Sequence, residues 1–152
     1  MAKTTTNPFT QSIRNPNVAI VNGDSFIAAG GLLIPTNTKS FFVAGAEGSV
    51  LKSMVISSDD GTARNVAVYV STDGGTTKYL LGTVNVPLNA GSTGAIVNVD
   101  VLNNSFLTGL SIDQTGRQVL PLAPNAVVYV GVITAVVTSG KALFITGVAE
   151  DF

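Results

Sequence analysis

The sequence predicts an all-β protein, an antiparallel β-sandwich or jelly roll. Three observations carry that expectation. Short runs rich in Val, Ile and Thr alternate with polar residues, turns containing Gly, Asn and Asp separate the runs, and apolar spacing of helical period is almost absent. The 152 residues suit one domain of ordinary size. We divide the chain into an extended N-terminal arm, residues 1–17, and a single β-sandwich domain, residues 18–152.

The arm is polar, rich in Thr and Asn, and carries Pro8 and Pro16, so it follows neither strand nor helix periodicity. It is either a loose terminus or an arm anchored on a neighbouring subunit through Phe9 and Ile13. Strands are then expected at residues 18–21, 40–44, 50–57, 65–72, 78–86, 95–101, 118–122, 127–136 and 142–148. The clearest hairpin is 65–72 with 78–86, because Asp73, Gly74 and Gly75 supply the positive φ angles of a tight connection. Its alternation turns Val66, Val68 and Val70 to the core, and Asn65, Tyr69 and Ser71 outward. Ala95, Val97, Val99 and Val101 alternate in the same way against Asn98 and Asp100. Residues 103–110 (NNSFLTGL) read as one or two helical turns, with Phe106, Leu107 and Leu110 plugging an open end of the sandwich.

Residues 127–136 differ from the other strands. Val127, Tyr129 and Ile133 on one face, and Val128, Val130, Val132 and Val136 on the other, are apolar or nearly so. A strand apolar on both faces must be covered on both. In a two-layer sandwich that requires something over the outer face, and a neighbouring subunit is the natural cover.

Composition points the same way. Charged residues make up 11% of the chain, against roughly 25% in ordinary globular proteins, and mean hydropathy is +0.44. The longest apolar stretch, 126–137, is broken by Gly131 and Thr134 and is too short for a spanning helix, so no membrane partner is expected. The N-terminus has an early Lys but no apolar segment behind it, which does not read as a secretory signal; assembly in a cytoplasm is expected. With no Cys, stability falls to packing and oligomerisation. Net charge is −1 and the eight basic residues are scattered singly, whereas phosphate binding needs them clustered, so no nucleic-acid partner is expected.

No residue set points to catalysis. With neither His nor Cys, Ser-His-Asp, Cys-His and zinc-type sites cannot be built. Gly30-Gly31 and Gly45-Ala46-Glu47-Gly48 lack phosphate-cradle spacing and read as turns. Asp59-Asp60-Gly61-Thr62 and Asp73-Gly74-Gly75 are acid-rich turns without the alternating ligands of a calcium loop, and their acids read as solvated turn residues. Tyr69 and Tyr79 fall on the two strands of one hairpin. They read as a cross-strand aromatic pair on the outer face in preference to a sugar platform. Asn103-Asn104-Ser105 matches a glycosylation sequon, to which no role is assigned without a secretion signal. We therefore expect a non-enzymatic protein with no catalytic, metal or cofactor residues.

From residue 66 to the end, the order of features resembles the auxiliary head proteins of tailed bacteriophages, known as decoration, cement or stabilisation proteins. The carrying residues are VAVYVSTDGGTTKYLLGTVNVPL (66–88), NNSFLTGL (103–110), RQVLPLAPNAVVYVGVITAVV (117–137), TSGK (138–141) and ALFITGVAEDF (142–152). The resemblance implies a β-sandwich on the capsid surface of a virion. It would bind the major capsid protein, usually as a homotrimer, and reinforce the shell against internal DNA pressure. The family supplies no residue motif to carry over, and residues before Val66 take no part in the similarity. Two other classes compete: a receptor- or carbohydrate-binding β-sandwich module of a phage tail fibre, and the jelly-roll coat protein of a small RNA virus. The first is ranked lower for want of Trp and long loops, the second because Lys3 and Arg14 are too few for a genome-neutralising arm.

Overall fold

The computed structural model describes residues 12–103 and 106–152. Two antiparallel sheets pack face to face. Their strands are β1 (Ser12–Arg14), β2 (Asn17–Val21), β3 (Lys39–Val43), β4 (Ser49–Ser58), β5 (Arg64–Ser71), β6 (Tyr79–Val86), β7 (Val99–Asp100), β8 (Ser111–Ile112), β9 (Gln118–Leu122), β10 (Val127–Val132) and β11 (Ala142–Asp151). The larger sheet runs β1-β11-β4-β9-β8, with β2 also on β11 and β7 also on β4; the smaller runs β3-β10-β5-β6. The helical content among the described residues is one short 3-10 turn, Ala29–Gly31.

The pairing is nested. β2 pairs with β11, β3 with β10, β4 with β9, and β5 with β6. A chain folded into four concentric antiparallel pairs and then rolled into two sheets is a jelly roll. Alternation explains the layering, since inward positions of both sheets carry the aliphatic residues. Leu51, Met54 and Ile56 of β4 and Leu143 and Ile145 of β11 meet Val66 and Val68 of β5, Val84 and Val86 of β6, and Val128, Val130 and Val132 of β10. Each such side chain contributes about 1.5–3 kcal/mol on burial.

Three bulges aim particular residues. Lys52 is the extra residue of β4 against β11, Phe41 of β3 against β10, and Leu81 of β6 against β5. The Leu81 bulge turns its carbonyl to accept from Thr108 N–H (2.9 Å) and Thr108 Oγ1 (3.0 Å), which ties the 106–109 segment to an otherwise open sheet edge.

Several expectations change. In the segment read as an arm, residues 1–11, Phe9 among them, lie outside the described residues, while Ser12–Arg14 and Asn17 already stand in strands on β11. The strand expected at 95–101 shrinks to Val99–Asp100. Gly91 and Gly94 at φ +71° and +74° turn the chain before it, and the Gly91 N–H is satisfied by the Ile96 carbonyl within the loop. Val97 is therefore 82% exposed although Val101 is buried. The described part of 103–110 holds no helical turn; Leu107 is buried and Phe106 exposed, while Asn104 and Ser105 lie outside the described residues.

β10 ends at Val132, not at residue 136. Thr134 has φ +75° and the Ala135 N–H bonds the Ile133 carbonyl (2.9 Å), a γ-turn of the strained hand. The outer face of β10 is covered by the chain itself. The β2–β3 connection, residues 22–38, forms a strap across the smaller sheet. The Ile27 N–H donates to Val132 O (2.8 Å), the Thr134 N–H donates to Ile27 O (2.9 Å), and Ile27 makes a parallel bridge to Ile133. Beneath it Ile27, Ala67 and Tyr69 form a second cluster, flanked by Leu32, Leu80, Tyr129 and Ile133. Gly131 permits this approach, because a Cβ there would overlap Ile27 Cδ1 and Asn37 O.

Candidate interaction surfaces

The strap gathers the most exposed apolar surface. Residues 25–38 (SFIAAGGLLIPTNT) contain no charge, and the loop is closed at its base by an ion pair, Lys39 Nζ to Asp24 Oδ2 at 2.7 Å. Lys39 also donates to Ala19 O (2.9 Å), and Asp24 accepts from the Val21 N–H (2.7 Å). Partial burial works to raise the Asp24 pKa, but the bonds from Lys39 and Val21 outweigh it and hold the carboxyl below its ordinary value. Asn37 Nδ2 donates to Phe26 O (2.8 Å) and braces the two arms of the strap.

On this base Leu33 and Ile34 stand 79% and 83% exposed, and Phe26 and Val136 are partly exposed beside them. The pair forms a ridge with an open groove on either side. One, of about 540 Å³, is lined by Ala29, Gly30, Leu32 and Leu80 with the ridge. The other, of about 400 Å³, is lined by Phe26, Ile27, Ala28 and Val136 among others. Tyr69 is wholly buried below the strap, its hydroxyl without a hydrogen-bond partner among the described residues, and burial pushes the phenol pKa up.

A second apolar surface lies on the outer face of the larger sheet. Ile13, Val21, Phe144 and Val148 are exposed there, interspersed with Asn17, Ser53, Ser57 and Thr146 by strand alternation. Lys52 and Glu150 are already paired at 3.2 Å on that sheet.

The acids weighed in the sequence are engaged internally. Asp60 is wholly buried and so departs from the solvated turn residue expected. It accepts from Thr138 Oγ1 (2.7 Å), Thr138 N–H (3.1 Å), Arg64 Nε (2.8 Å) and Thr62 N–H (3.0 Å). Burial works to raise its pKa, but these bonds prevail and bring it to about 2. Asp59 accepts from the Ala142 N–H (2.7 Å), so the two acids pin the β4–β5 turn to the start of β11. Asp73 caps its turn by accepting from the Thr77 N–H and from Ser71 Oγ, which brings it to about 2 as well. Among the described residues no three metal-binding acids converge, and no helix is long and apolar enough to cross a membrane.

The tyrosine pair is corrected. The Leu81 bulge sets Tyr69 opposite Leu80 and Val70 opposite Tyr79, so the two tyrosines face opposite sides of the sheet. Tyr69 instead pairs with Tyr129 of β10, under the strap. Lys78 Nζ covers the Tyr129 ring at 4.8 Å, and Gly75 leaves room for the Tyr129 hydroxyl.

Neither known family models nor curated proteins match this chain. Its surfaces are therefore read from their own geometry. The strap escaped sequence analysis because SFIAAGGLLIP has no strand or helix period. The signals that could have found it were the long uncharged run and a glycine, Gly131, in the middle of a buried strand.

Proposed function

We propose that the protein is a structural component of a virion, which binds the outer surface of a phage capsid as a homo-oligomer, on the major capsid protein, and stabilises the shell. The supporting observation is that each outer face of the sandwich carries exposed apolar side chains, Leu33 and Ile34 on one and Ile13, Phe144 and Val148 on the other, while Arg14, Lys39, Lys52 and Arg64 are each spent in ion pairs within the chain. A surface of this kind gains by being covered on two sides, once by a copy and once by a shell. The jelly-roll architecture is shared by capsid and lectin domains and does not choose between them; the resemblance of residues 66–152 to decoration proteins favours the shell.

Purified protein added to capsids that lack it should co-sediment with assembled shells and not with free capsid subunits. Binding to host cells or glycans in place of shells would favour the receptor-binding alternative.

A further inference from the structure

We propose that the strap ridge and its flanking grooves are a self-association surface: Leu33 and Ile34 of one copy seat in the groove lined by Ala29, Gly30, Leu32 and Leu80 of a second copy of this chain. The inference deepens the homo-oligomer part of the proposed function and rests on it.

Three observations select a second copy as the occupant. First, ridge and groove lie side by side on the same loop, since Leu33 and Ile34 also form one wall of the groove. The patch thus holds both halves of a contact, and a two-fold or cyclic arrangement lets every copy give its ridge and receive another. Second, the strap itself carries no charge, and the cation at its rim, Lys78 beside Leu33 and Ile34, is already seated over the Tyr129 ring at 4.8 Å. The 14 residues 25–38 are uncharged, Asp24 and Lys39 neutralise each other at the base, and a net charge of −1 gives copies little mutual repulsion. Third, the make-up of the patch is right in kind. The two grooves meet at Ile34, which joins the ridge, Phe26 and Val136 into one apolar patch with Lys78 at its rim. Stable interfaces are built around an apolar centre with a polar rim, and here the apolar ridge is bordered by Thr36, Asn37, Thr76 and Thr77.

The strap is also held firmly enough to act as a preformed surface. Its base is closed by the Asp24–Lys39 pair, its middle is bonded to Val132 and Thr134 through Ile27, and its arms are braced by Asn37. Docking a rigid ridge loses less side-chain and loop freedom than ordering a mobile loop.

The test compares the wild-type chain with Leu33→Asp/Ile34→Asp by analytical ultracentrifugation at micromolar concentration, with circular dichroism melting alongside. Both positions are exposed, so the variant should melt with the parent. We expect an oligomer for the wild type and, for the variant, a mass falling to that of one 15.5 kDa chain. A variant that melts normally and stays oligomeric would overturn the strap assignment and leave self-association intact. A monomeric wild type would overturn both. As a check independent of charge insertion, the chain has no Cys, so Ile34→Cys and Ala29→Cys proteins can be mixed under mild oxidation. A disulfide between the two should form faster than one between either and a Gln114→Cys control, and equal rates would count against the contact. Binding of the wild type, but not the variant, to neutral phosphatidylcholine vesicles with no self-association would assign the ridge to a lipid surface instead and overturn the proposal.

Discussion

Single residues set the joints of this fold, and Asp60 is the clearest. Its carboxylate joins Arg64, Thr62 and Thr138, which belong to the start of β5, the turn before it and the loop before β11. Asp60→Asn removes the charge from a buried pair and leaves Arg64 uncompensated, so a loss of about 3 kcal/mol is expected in urea unfolding. Because the folded pKa is depressed to about 2 from 3.8, its contribution is complete above about pH 4 and fades as pH falls toward 2. That contribution is about 2 kcal/mol. The wild-type midpoint should therefore drop on acidification through this window more steeply than that of Asp60→Asn. Thr134 makes the opposite prediction. A β-branched residue in the strained γ-turn costs about 1–3 kcal/mol, more than the added freedom of glycine, so Thr134→Gly should raise the melting temperature where such a change usually lowers it. Neither role was legible in the sequence. DDGT satisfies an ordinary turn, and the burial of Asp60 depends on Thr138, which lies 78 residues away.

Elements divide into those that local pattern determines and those set by long-range packing. β4, β5, β6, β9 and β11 are legible because β-branched alternation, or short β-rich runs, end in Gly, Asn or Asp turns. The short β1 and β8, and the truncation of 95–101, are not legible, since two or three residues carry no period and the Gly91–Gly94 turn interrupts an alternation that looks complete. The two-faced character of β10 was read correctly from Val127 to Val132, and the chain's own strap lies over its outer face at Tyr129 and Gly131. Gly131 makes that cover possible. Gly131→Val should lift Ile27 from the sheet, expose Tyr69 and raise its fluorescence quenching by iodide, while destabilising the domain by about 1–3 kcal/mol. If Tyr69 stays shielded in that variant, the strap does not depend on the missing side chain.

At the scale of the whole molecule, the nested strand pairing gives a jelly roll whose core is filled by aliphatic residues and whose outer faces remain partly apolar. The fold class was legible from composition and period, whereas the identity of the surfaces was not, because Leu33 and Ile34 meet Leu80 on one outer face, and Ile13 joins Phe144 on the other, only through pairings between distant segments. A chain with so little charge, much of it paired internally, fits the function we propose, contact with copies of itself and with a larger shell, where many weak contacts add up. That account is tested most directly by the temperature at which particles release their DNA, measured by dye accessibility for complete particles, particles depleted of this protein, and depleted particles with the protein added back. The account predicts release at lower temperature on depletion and full recovery on addition, with less recovery for Leu33→Asp/Ile34→Asp. Equal release temperatures in all three, with depleted particles failing instead to adsorb to cells, would contradict it.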